Sequence, residues 1–331
     1  MERFDLDRLR PGSRDSFVLP VIRLPDGGEL NLPVLAAAGQ SDGPTLTVLA
    51  GVHGDEYEGV RAIPQIFRAL DLAELRGRLI AVPVCNVPAY RTATRSSPID
   101  GLNLARVFPG DAHGTVTQRI AHTLTEQIIA PANLLIDLHS AGVAYSMPTL
   151  VGYPYADTPH GRASCAAALA FGCDVVWAHP PDPSAGGRTI SAAEALGIPW
   201  IYTEAAGGGR TLPEDVECYR NGVLNVMRHL GMLPGQPVTQ PLRCHLLGAG
   251  NTDAPIRVDT SGYFVSEVAL LDTITSGQVL GHVLDFSGES IETIRAHADG
   301  RVVMLRGIPA VHAGDGAFLL SGELHEASGV E

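Results

Sequence analysis

Over its first two thirds the chain alternates short apolar runs with stretches of helical period. Residues 45–50 read as a buried strand. Residues 57–70 then carry apolar side chains at Val60, Ile63, Ile66, Phe67 and Leu70, a helical spacing. The same reading predicts strands over 78–84, 134–138, 175–178 and 198–203. It predicts helices over 116–129, through Ile120, Leu124 and Ile128, and over 213–230, through Val216, Tyr219, Val223 and Val226. Strand–helix alternation makes a layered α/β fold around a parallel or mixed sheet. In that class ligands gather at the carboxyl ends of strands. The loops after Ala50, Leu138 and Thr203 all begin at such ends.

The pattern changes after the Pro- and Gly-rich stretch from Gly231 to Gly235. Short apolar runs broken by glycine follow, at Gly262–Val265, 277–283, 299–305 and 314–318, with weak helix signals. With 331 residues, 45% of them hydrophobic, there is material for two units. The expected division is a catalytic domain over 1–235 and a small all-β domain over 236–331. The turn pattern of that second unit resembles lipoyl-type barrels, but a chain without lysine cannot carry lipoate or biotin there.

All 23 basic residues are arginine, against 36 acidic ones, for a formal net charge of -13. The charge argues against nucleic acid or an anionic membrane as the main partner. The missing lysine excludes Schiff-base catalysis, pyridoxal-phosphate anchoring and a Walker A phosphate site. The five cysteines, Cys85, Cys165, Cys173, Cys218 and Cys244, are odd in number and form no C-x-x-C pair. They read as reduced thiols of a cytoplasmic protein. Residues 1–17 are charged throughout, and no apolar run approaches the length of a membrane span.

Three acid and imidazole side chains stand where strands are expected to end. His53 and Glu56 follow the run 45–50, and His139 follows 134–138. Two imidazoles and one carboxylate are a ligand set of catalytic zinc, which keeps a fourth position open. H-x-x-E is a weak motif alone, but Gly51 and Gly54 allow the tight loop such a site needs. Asp137 either points away from His139 or orients its ring. Glu204 ends the run 198–203 and faces either the site or solvent. Arg91, Arg95 and Arg106 lie in a poorly periodic stretch. They are either solvated or form a cationic wall suited to a carbonyl oxygen and a carboxylate.

Together these motifs resemble the succinylglutamate desuccinylase/aspartoacylase family of zinc enzymes, related to the zinc carboxypeptidases. The resemblance rests on Gly51–Glu56, Asn86 with Ala89, Thr94–Arg95, Asp100–Gly110, Asp137–Ser140 and Thr203–Glu204, in family order. It extends over nearly the whole chain. Residues 53–59, 95–101 and 114–118 look most like the N-α-acetyl-2,4-diaminobutyrate deacetylase branch. The resemblance implies a layered α/β/α catalytic domain with a mixed sheet, and a C-terminal lid that narrows access. It implies one zinc held by His53, Glu56 and His139, with Glu204 as general base and acid and Arg95 polarising the scissile carbonyl. Arg106 would hold a substrate carboxylate. Ala105 stands where the family usually has Asn, so Arg106 would act alone or with Asn103 or Arg188.

The activity expected is deacylation of a small N-acyl amino acid, such as N-acetyl-2,4-diaminobutyrate. A carboxypeptidase or another amidase is the alternative that Ala105 keeps open. A non-catalytic metal-binding protein is the third reading, and the presence of Glu204 and Arg95 weighs against it. Self-association is left open.

Overall fold

The computed structural model describes residues 2–182, 186–248 and 252–324; the tail 325–331 of the expected β unit lies outside them. One large mixed sheet of 15 strands runs through the molecule. Its centre is parallel. Ser41–Ala50 pairs with Leu134–Leu138, which pairs with Trp200–Glu204, with Ala50 opposite Leu138 and Leu138 opposite Thr203. All five residues of Leu134–Leu138 are buried, as are the last six of Ser41–Ala50. Strands covered on both faces read as unbroken apolar runs, which is why they stand out in the sequence. Their carboxyl ends line up at one level.

Two hydrophobic cores cover the two faces. One packs the helices Glu58–Ala69, Pro159–Phe171 and Pro213–His229 through Ile63, Ile66, Phe171, Tyr219 and Val223. The other packs Val116–Leu124 and Thr189–Ala195 through Ile120, Leu124 and Ala193. Side chains of the central strands alternate between them: Val48 and Ile136 enter the first, Leu49 and Leu135 the second. The layered α/β/α architecture follows from that alternation.

Three elements differ from the sequence reading. The helix expected over 116–129 is an α-helix to Leu124 and then a wider π turn over Thr125–Ile129. The wider turn buries both Ile128 and Ile129 in the second core. Two long antiparallel strands, Arg14–Arg23 and Glu29–Ala38, precede the first expected element. Pro20 and Pro33 interrupt their pattern, and the register shifts between Pro20 and Ile22. The large sheet also continues past residue 235. Cys244–Leu247 pairs in parallel with Val175–His179 and antiparallel with Gly316–Glu323. A separate antiparallel sheet of four strands, Gly262–Ser266, Val279–Leu284, Ser290–Arg295 and Ala310–Val311, packs on its own core around Phe264, Leu280, Val283 and Phe318.

Gly59 sets how closely the first helix approaches the strands. A Cβ there would lie 2.7 Å from the Leu138 Cβ and 2.8 Å from the Ala50 Cβ. A Gly-to-Ala change inside an exposed helix stabilises by up to about 1 kcal/mol. Here overpacking, typically about 1–3 kcal/mol, opposes it and wins. Gly59→Ala is therefore expected to lower the urea midpoint. An unchanged or raised midpoint would show that the helix can lift off Ala50 and Leu138 without cost.

Candidate metal centre and cleft

The aligned strand ends bring His53, Glu56 and His139 together. Two glycines shape the first loop. Gly51 takes φ of +59°, and a Cβ on Gly54 would meet the Ala89 carbonyl carbon at 2.1 Å. The ligating atoms of the three residues lie within 4.8 Å of one another. His53 Nδ1 is 2.7 Å from Glu56 Oε1, and His139 Nδ1 is 2.8 Å from Glu56 Oε2. Both imidazoles thus aim the same nitrogen at one buried carboxylate.

The far sides of the rings meet acceptors as well. His139 Nε2 lies 2.9 Å from Asp137 Oδ2, which also accepts from the Thr189 hydroxyl. His53 Nε2 lies 3.1 Å from Asn103 Oδ1, which accepts from the Ala105 N–H at 2.9 Å. Asp137 and Asn103 accept on the far side as Glu56 does on the near side, and a neutral ring whose Nε2 donates outward is left with a lone pair on Nδ1. Two lone pairs facing carboxylate oxygens at under 3 Å repel unless a positive charge lies among them. The donor set therefore fits a divalent cation. Burial pushes the His139 pKa down, yet Asp137 and Glu56 outweigh it and hold it well above the ordinary value. A proton on His139 stands in for the charge that a metal would bring. Burial would raise the Glu56 pKa, and His53 and His139 outweigh it and keep the carboxylate ionised. Asp137 thus orients the ring of His139, which was one of its two readings.

Glu204 ends the third central strand and lines a cleft of about 520 Å³ beside His53 and His139. Its Oε2 is buried and has no hydrogen-bond partner among the described residues. Burial first, and then the Glu56 charge, push its pKa up to about 8. A carboxylate tuned that far, inside a cleft, is suited to taking and returning a proton.

The arginines separate. Arg91 is exposed and lies away from the cleft. Arg95 lines it and donates from Nη1 to Glu56 Oε1 at 3.2 Å. Arg106 and Arg188 also line it. Arg106 places Nε and Nη2 on the two carboxylate oxygens of Asp253, both at 2.8 Å, and Nη1 on the Ala105 carbonyl. Arg188 Nη2 lies 3.8 Å from the same Asp253. Burial would raise the Asp253 pKa, but the Arg106 fork outweighs it and holds the acid low. Asn103, expected beside Arg106 as a substrate contact, caps the short 3₁₀ turn Leu104–Arg106, and that turn directs its oxygen to His53.

Sequence reasoning did not single out Asp253, Tyr202 or His179, although the last two line the cleft. Strand alternation offered a signal for Tyr202, because it lies two residues before Glu204 on the same face. Nothing local marks Asp253.

Comparison with known proteins places the whole chain. Residues 42–230 match the Succinylglutamate desuccinylase/Aspartoacylase catalytic domain. The N-alpha-acetyl-L-2,4-diaminobutyric acid deacetylase of Halomonas elongata is 32% identical over 87% of this chain and 84% of its own. A succinylglutamate desuccinylase/aspartoacylase structure from Rhodobacter sphaeroides is 30% identical, covering 98% of this chain and 99% of that one, with a TM-score of 0.86. The product-bound ectoine utilization protein EutE (DoeB) of Ruegeria pomeroyi is 27% identical, covering 96% and 97%, with a TM-score of 0.87. The chain belongs to the succinylglutamate desuccinylase/aspartoacylase family of amide hydrolases.

Proposed function

We propose that the protein is a zinc-dependent deacylase of small N-acyl amino acids, with N-acetyl-2,4-diaminobutyrate as the favoured substrate. The observation that carries this reading is the pair of Nδ1 lone pairs and one carboxylate converging beside the unpartnered carboxylate of Glu204. Zinc held by His53, Glu56 and His139 would supply a Lewis acid and a water of lowered pKa. Glu204 takes the proton of the attacking water and returns it to the departing amine. Arg95, beside Glu56, turns its remaining N–H groups to the carbonyl oxygen as charge develops on it. Arg106 and Arg188 form the cationic wall for the substrate carboxylate, shared with Asp253. The name of the Halomonas relative supports an acetyl group and a diamino acid. We place the protein in the cytoplasm on its composition. Among the described residues no helix is long and apolar enough to cross a membrane.

The direct test is metal analysis together with release of free amine from a panel of N-acyl amino acids. Zinc-dependent release is expected, with N-acetyl-2,4-diaminobutyrate among the best. Release that survives removal of all metal by a chelator would end the zinc reading.

Four variants separate the roles. His139→Ala is expected to lose most of its zinc. Asp137→Ala, which removes the acceptor of His139 Nε2 and of the Thr189 hydroxyl but no metal ligand, should weaken zinc binding about 10–100-fold in chelator competition. Equal zinc affinity in Asp137→Ala and the parent protein would show that Asp137 does not orient the ligand. Glu204→Gln should keep zinc and lose at least ~10²-fold in kcat; near-normal kcat would place the base elsewhere. Arg106→Ala should raise KM more than it lowers kcat, because carboxylate binding is similar in ground and transition states. Steady-state kinetics showing the reverse split would assign Arg106 to the reacting carbonyl.

A further inference from the structure

Tyr202 and His179 form a pair in the cleft wall that the reaction above does not use. His179 Nδ1 lies 2.9 Å from the backbone carbonyl of Gly248, and Nε2 lies 2.8 Å from the Tyr202 hydroxyl. A carbonyl only accepts, so Nδ1 carries the ring proton. Burial first, against the Gly248 bond, lowers the His179 pKa to about 4, so the ring is neutral and Nε2 is an acceptor. The Tyr202 O–H must therefore donate to Nε2. Its only proton is spent, and among the described residues its oxygen accepts no hydrogen bond. What Tyr202 presents to the cleft is a pair of lone pairs.

Tyr202 stands two residues before Glu204 on the same strand, so both project from one face of the sheet. Both line the cleft, so a substrate whose amide lies at Glu204 meets this hydroxyl in the same wall. The nearest cation, Arg188, faces Asp253 and serves the substrate's own α-carboxylate, so it is committed before a side-chain acid reaches Tyr202. A side-chain carboxylate placed against it would meet lone pairs without a proton between them. An ammonium or amide N–H would meet an acceptor.

We propose that the Tyr202–His179 pair is a specificity-determining acceptor wall that selects substrates carrying a second, hydrogen-bond-donating nitrogen and rejects those with an acidic side chain. This rests on the deacylase reading of the same cleft. Polarity is transmitted from the Gly248 carbonyl through the imidazole to the hydroxyl, so His179 acts as a positioning residue and Tyr202 as the group that touches substrate.

The test is calorimetric binding to the zinc-loaded protein, which does not need turnover. The probes are 2,4-diaminobutyrate, 2-aminobutyrate and aspartate, which differ only at the side-chain end. The parent protein is expected to prefer the diamine to 2-aminobutyrate by at least about tenfold, the scale of a hydrogen bond to a charged group. Tyr202→Phe should bring the two within about threefold. His179→Leu, which frees the hydroxyl to donate, should lose the diamine preference and gain several-fold for aspartate. A purely structural role would weaken all three ligands alike. A parent protein without diamine preference, or a Tyr202→Phe variant that keeps it, would overturn the proposal. Amine release from N-acetylated versions of the same compounds is measured in parallel. If release fails while the binding preference stands, the deacylase reading falls and the acceptor wall remains.

Discussion

The site depends on one buried charge. Glu56 is 3% exposed, and an ion held that far from water costs several kcal/mol unless its surroundings replace the lost hydration. Two groups donate to it, the Arg95 guanidinium and the Ser140 N–H, and the imidazoles of His53 and His139 join them once a proton or a cation lies between Nδ1 and the carboxylate. They come from three separate stretches of chain, and only the parallel register of the central strands brings them to one point. The carboxylate in turn fixes what the site can accept. With both Nε2 atoms committed to Asp137 and Asn103, the remaining lone pairs favour a cation at the centre over any neutral occupant.

The second theme of the cleft is a balance of arginines against acids. Arg95, Arg106 and Arg188 are set against Glu56 and Asp253, so the pocket is not a field of one sign. Asp253 belongs to the C-terminal half of the chain, 147 residues from its partner Arg106. With Thr252 at the rim, that half takes part in forming the cleft. Ala105 presents its backbone carbonyl to Arg106 Nη1 as the neighbour on that side. A substrate carboxylate that reaches Arg106 has to share the guanidinium with Asp253.

How much of this was legible in the sequence follows from burial and range. The central strands announced themselves because both faces are covered, and His53, Glu56 and His139 stood at their ends. Gly51 and Gly54 were readable because the loop needs a left-handed turn at one and close approach to Ala89 at the other. The hairpin Arg14–Arg23/Glu29–Ala38 was not, since Pro20 and Pro33 blur a two-residue period that the structure restores with a register shift. Asn103 was recognised as a site residue, but its partner depended on a 3₁₀ turn that no periodicity signals. The Asp253 contact had no local signal at all. The orientation of Asp137 and Glu204 also needed coordinates, because alternation gives a face and not a contact.

The strand Gly316–Glu323 joins two parts of the molecule. One end pairs with Cys244–Leu247 in the large sheet, and its body pairs with Gly300–Arg306 and Ile256–Arg257 beside the smaller core. This has a meaning for biosynthesis. As the chain leaves the ribosome from its amino end, Cys244–Leu247 can zip onto Val175–His179 with its outer edge still bare. That edge stays open until the last strand emerges and covers it. An exposed edge of a nascent sheet is a template for wrong pairing between neighbouring chains. Synthesis of Gly316–Glu323 thus sets how long that edge stays open.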